Sequence, residues 1–156
     1  MNNGDVQRIP LQIVQGCLVA SLQVELTEEV LRYFRKDILG MLHTTKARGV
    51  ILDLSGLEII DGEDFANLQG TLSMAKIMGV DTILTGFQPG VVSALVDLVV
   101  DLDSINAALD LDDALQLINN LRPLHQDVEL LPENSLQEKL KELDESVEFN
   151  LDFHQE

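Results

Sequence analysis

Three carboxylates, Asp61, Glu63 and Asp64, surround Gly62 in the stretch LEIIDGEDFANLQG, residues 57 to 70. Residues of this type at this spacing allow three kinds of chemistry. A carboxylate pair can move a proton, a set of three can hold a hard divalent cation, and the first turn of a helix can carry a regulatory anion. The first two need company that the chain lacks. His43, His125 and His154 are scattered, and no HExxH, GxSxG, GxxxxGK[ST] or GxGxxG occurs. The expectation is therefore a protein that is not an enzyme, with no metal site and no cofactor. Acidic residues at a helix start also serve stability alone, at roughly 0.3–1 kcal/mol each against the helix dipole. The third kind of chemistry remains. Free N–H groups and the positive dipole end meet in a first turn, where a phosphorylated side chain would act. Such a switch needs Ser or Thr directly after Asp61, and Gly62 stands there.

The elements that position this turn follow from hydrophobic spacing. LQIVQG (11–16) and CLVASLQV (17–24) read as a hairpin or two adjacent strands broken at Gly16. Thr27 caps a helix whose first turn holds Glu28 and Glu29. Its apolar residues are Val30, Leu31, Phe34, Ile38, Met41 and Leu42, and it is expected to stop near Ala47 at Gly49. VILDLSG (50–56) is a strand, and residues 62 to 78 are helical. Their apolar stripe is Phe65, Leu68, Leu72, Ala75 and Ile77/Met78, ended by Gly79. DTILTG (81–86) is the next strand. Pro89 opens a helix to about residue 100 that uses Val92, Leu95, Val96 and Val99. INAALD (105–110) holds a short strand, and LDDALQLINNL (111–121) closes the domain as a helix.

This order, ββαβαβα(β)α, predicts an α/β domain on a mixed, mostly parallel sheet. Helices then start at the carboxyl edge of the strands, which brings Asp61-Gly62 beside Gly86–Pro89, and that edge favours partner sites. From Arg122 the composition shifts. Residues 122–156 carry ten acidic and three basic residues, and Pro123 and Pro132 mark them off. Ser135 and Glu138 form a capping box, with Leu136, Leu140, Leu143 and Val147 at helical spacing. An acidic extension with one short amphipathic helix is expected there, partly helical or disordered, either folded back or offered to a partner groove.

The net charge of −17 argues against nucleic acid and anionic membranes and in favour of basic protein partners. The N-terminus MNNGDVQRIP has no basic patch ahead of an apolar run, and Asp97, Asp101 and Asp103 interrupt the apolar segments near residues 91–109. A cytoplasmic protein is the expectation. Cys17, the single cysteine, reads as a small buried hydrophobe.

The segments IPLQIVQGCLVASLQVEL, GVILDLSGLEIID, LSMAKIMGVDTILTGFQPGVV and LDLDDALQLI resemble the STAS domain family over about residues 8 to 121. Within it the similarity is to RsbS-like scaffolds of the bacterial stressosome, carried most specifically by MAKIMG and ILTGFQP. The resemblance implies a non-catalytic protein that binds an RsbT-like serine/threonine kinase. It also implies assembly with an RsbR-like STAS paralogue, as a homo- or hetero-oligomer that controls a stress output. The phosphoacceptor of such proteins falls on Gly62, which has no hydroxyl. The resemblance also points to Thr85 as a second phosphorylation position, and to Asp61, Gly62, Glu63, Asp64, Gly86, Phe87, Gln88 and Pro89 as the partner-binding edge. Three outcomes stay open: a scaffold never phosphorylated, an acidic turn that imitates the phosphorylated state, or a switch moved to Thr85. A stand-alone anti-sigma-factor antagonist binding one kinase is the alternative, and a small-ligand or enzymatic α/β domain the third reading.

Overall fold

The computed structural model describes residues 7–98, 100, 101, 103, 105–123 and 140–142. The chain divides into two units, Met1–Arg122 and Pro123–Glu156. In the second, residues 140–142 are helical, and the rest of the expected amphipathic helix lies outside the described residues.

The first unit is an α/β domain. Strands β1 (Leu11–Val14), β2 (Cys17–Ser21), β3 (Gly49–Asp53), β4 (Asp81–Thr85) and β5 (Ala107–Ala108) form one sheet in the order β1-β2-β3-β4-β5. β1 and β2 are the antiparallel hairpin, turned by Gln15 and Gly16 at positive φ. The later pairs are parallel, with Ser21 beside Asp53 and Asp53 beside Thr85, so the strand ends line up along one edge. Helices are α1 (Glu28–Thr45), α2 (Gly62–Ile77), α3 (Pro89–Asp97) and α4 (Leu111–Leu121). One core joins inward side chains of α1, α2 and α3 to Leu18, Val50, Leu52 and Leu84 of the sheet. A smaller core on the opposite side packs Ala114, Leu115 and Ile118 of α4 on Cys17, Val19, Ile51 and Ile83. That alternation along β2, β3 and β4 is the period of two that strands buried on both sides require.

Three helix starts are capped, at Thr27 as expected and also at Asp61 and Asp110. Thr27, Asp61 and Asp110 accept the N–H groups of Val30, Asp64 and Asp113, which quiets otherwise orphaned donors. Other details differ. Helix α1 stops at Lys46, which takes the left-handed conformation, and Gly49 is not a helix stop but the first residue of β3. A Cβ on Gly49 would run into the Ile118 side chain, so the glycine lets α4 close onto the sheet. The α2 stripe ends at Ala75, with Ile77 86% exposed and Met78 also outside. Thr71 is buried in its place, because Arg35 of α1 donates from Nε to its hydroxyl at 3.2 Å and from Nη2 to Asn67 at 3.1 Å. Helix α3 ends at Asp97 and turns a different face inward than expected: Val91 and Leu95 are buried, while Val92 and Val96 are 45% and 60% exposed.

Candidate functional site at the carboxyl edge of the sheet

The edge is built by two connections that leave adjacent parallel strands. From β3 the chain runs through residues 54–61 into α2, and from β4 it turns through Gly86–Gln88 into α3. The Leu54 N–H donates to the Thr85 carbonyl at 2.8 Å, which continues the ladder one step past the strands. Asp53 then folds its carboxylate back to accept the Ser55 N–H at 2.9 Å, an Asx-type turn that swings the chain out of the sheet. Leu54, Leu57 and Ile60 anchor this connection in the core and leave Ile59 outward.

The second turn lies directly on the first. Gly86, at φ +72°, leans on the Asp53 carboxylate and on Ser55, where any Cβ would be within 3.0 Å of both. Gln88 Nε2 donates to the Ser55 carbonyl at 3.2 Å. A Cβ on Gly90, in the first turn of α3, would collide with the Glu58 carbonyl oxygen. Pro89 fits the start of α3 because it has no N–H to leave unpaired. The structure thus brings Asp53, Ser55 and Glu58 together with Gly86, Gln88 and Gly90.

At the start of α2 the Asp61 carboxylate accepts the Asp64 N–H at 2.8 Å. Asp61 and Glu63 are exposed, and Gly62 and Asp64 are half-buried. Burial pushes the Asp64 carboxyl above its ordinary value, and the neighbouring charges of Asp61 and Glu63 push it further the same way. The Leu98 side chain lies over Gly62, with Cδ2 2.8 Å from where a Cβ would sit. Beside the turn is a groove of about 370 Å³, lined by the apolar Leu26, Leu57, Ile59 and Ile60 and by the acidic Glu25, Asp61 and Asp64. Among the described residues, no group of three or more His, Cys, Asp or Glu is placed to hold a metal ion.

Thr85 ends β4 on this edge but is 1% exposed, so its hydroxyl is not presented to another protein in this conformation. Ser55 is the exposed hydroxyl residue at the junction of the two turns. Sequence reading passed over Ser55, Glu25 and Leu98. Glu25 and Leu98 come from other connections, and nothing in local spacing marks them; the Asp-x-Ser turn signal at residues 53–55 was there to find.

A five-stranded mixed sheet with a capped helix start at its carboxyl edge makes a small α/β domain. Residues 8–114 match the STAS domain family, and the chain belongs to it. No curated protein sequence matches the chain. Among solved structures, RsbS of Moorella thermoacetica, in a serine-to-glutamate variant, is similar at 25% identity with a TM-score of 0.66, over 76% of this chain and all of that one. A chain from the molecular architecture of the stressosome, a signal integration and transduction hub, is similar at 25% identity with a TM-score of 0.65, over 74% of this chain and all of that one. The phosphorylated form of the Bacillus cell fate determinant SpoIIAA shares the fold, at 15% identity and a TM-score of 0.53, over 70% of this chain and 98% of that one. Among the described residues, no helix is long and apolar enough to cross a membrane.

Proposed function

We propose that this chain is a non-catalytic scaffold subunit of a stressosome-type complex. It binds an RsbT-like serine/threonine kinase at the carboxyl edge and co-assembles with an RsbR-like STAS paralogue. The observation that carries the reading is the capped acidic turn with Gly62 at its first helical position, half-buried under Leu98 and without a hydroxyl. A kinase docked there finds no acceptor at that position, so the edge stays in its binding form. Glu63 and Asp64 supply single charges on separate side chains, whereas a phosphate concentrates nearly two charges and three oxygens at one point. Thr85 takes a phosphate only in a state that opens the Gly86–Gln88 turn, because its side chain is buried. The similarity to an RsbS and to a stressosome chain over all of their length supports assembly.

The test is light scattering coupled to size exclusion, on the chain mixed with an RsbR-like paralogue and an RsbT-like kinase from the same organism. The reading expects a particle far heavier than the summed single chains, with the kinase retained after addition of ATP. A one-to-one complex with the kinase and no assembly makes the chain a stand-alone antagonist instead. No complex with either protein removes both readings.

A further inference from the structure

We propose that the groove between α3 and β5 is a docking site for a partner's amphipathic segment that carries lysine or arginine beside its apolar face. The groove encloses about 210 Å³ and is lined by Phe87, Val92, Leu95, Val96, Ile105 and Ala107. None of these side chains is polar. The core uses only the Val91 and Leu95 side of α3, so Val92 and Val96 are apolar surface that folding leaves over. Composition alone does not produce such a face in this protein. Helix α1 turns Glu28, Glu29, Arg32 and Lys36 to solvent, whereas α3 has no ionisable residue before Asp97.

Charge identifies the occupant. From residue 77 to 121 the chain has seven aspartates and no lysine, arginine or histidine. Arg122, the next cation, is already paired with Asp81 at 2.7 Å. Every ionisable side chain of the stretch that carries the groove is therefore acidic. A second copy would bring the same groove and the same charge of −17, and the approach of two such faces is opposed. A basic amphipathic segment is drawn by the aspartates and fills the groove with its apolar side. The site needs nothing from position 62, and it holds whether or not a kinase binds the Asp61 turn.

A labelled helix-forming peptide of about 18 leucine and lysine residues, with one apolar face, tests it by fluorescence anisotropy against the full chain at physiological salt. A scrambled peptide of the same composition measures charge attraction alone. The expected result is at least about tenfold tighter binding of the amphipathic peptide, lost in Val92→Ser/Val96→Ser, which keeps every charge. Val96→Lys gives the same loss should the double variant not fold. Asp61→Asn/Glu63→Gln/Asp64→Asn weakens both peptides alike and keeps the preference. Equal binding of the two peptides overturns the proposal, as does a preference that survives in the serine variant or vanishes in the carboxamide variant. Self-association abolished by the serines, without a peptide preference, makes the groove a contact between copies. A preference that appears only after Leu136, Leu140 and Leu143 are changed to serine replaces the partner with the chain's own segment. Either result refutes the site as stated.

Discussion

Replacing Gly86 by alanine tests whether the two turns at the carboxyl edge form one rigid surface. Two costs apply. The first is conformational: at φ +72° a Cβ meets its own backbone, at about 1–2 kcal/mol, offset by about 0.4–1 kcal/mol from the stiffer unfolded chain. The second is specific to the site. The new methyl would sit 2.6 Å from Asp53 Oδ1 and 2.9 Å from the Ser55 nitrogen, the two ends of one hydrogen bond. Losing that bond costs about 0.5–1.5 kcal/mol, and pushing the turns apart about 1–3 kcal/mol. Gly79 supplies the control, since it has φ +86° but nothing within 4 Å of its Cβ position. Gly79→Ala is expected to lose about 1 kcal/mol or less, and Gly86→Ala about 2–4 kcal/mol more. Because the conformational and unfolded-state effects are common to both, the difference isolates the contact between the turns. The chain has no tryptophan, so urea unfolding is followed by circular dichroism, with the slopes of the two transitions compared. Equal losses within about 0.5 kcal/mol would show that the turns do not press on each other, and the picture of a single preformed edge would fall.

Gly62→Ser is expected to fold, with stability changed by no more than about 1 kcal/mol, because the nearest atoms are at the flexible end of the Leu98 side chain. Incubated with an RsbT-like kinase and ATP, it gains one phosphate by intact mass, mapped to position 62, while the wild type does not. Gly49→Ala overlaps Ile118 in the tightly packed smaller core and is expected to cost about 1–3 kcal/mol by thermal or urea unfolding. The Asp64 carboxyl is raised in the fold, so the native state holds its proton more tightly than the unfolded chain. Its contribution to stability is present below the ordinary carboxylate value and is lost as pH rises through the raised one. Above that window Asp64→Asn is therefore expected to be at least as stable as wild type, and below it the advantage shrinks. An advantage that grows on acidification would contradict the assignment.

Much of the architecture is readable where polar and apolar residues alternate cleanly. Caps at Thr27 and Asp61, and the turn at Gly79, sit where short-range chemistry puts them, because each depends on neighbours within four positions. The misreadings have a common physical origin. PGVVSALVD is apolar on every side, so spacing cannot tell Val91 from Val92, and only the sheet decides which face goes inward. Thr71 is buried because Arg35, on another helix, satisfies its hydroxyl. Gly49 resembles a helix terminator, but its small size is demanded by Ile118, 69 positions away. At the edge, the acidic turn and the Gly86–Pro89 turn were each legible, whereas the contact that the structure shows runs from Gly86, Gln88 and Gly90 to Asp53, Ser55 and Glu58. Leu98 over Gly62 and Glu25 in the groove lining arrive through long-range folding and leave no local mark.

Cys17 lies in the middle of the smaller core, fully buried at the start of β2. Burial pushes its thiol up from the ordinary value, a shift that the nearby Arg48 guanidinium only partly opposes. An oxidant or electrophile in the surroundings therefore meets no exposed thiol on the folded domain, since Cys17 is the single cysteine. The folded domain cannot sense redox change through cysteine. The same thiol becomes modifiable only when the sheet opens, so the rate at which adducts accumulate at Cys17 reports how often the domain opens.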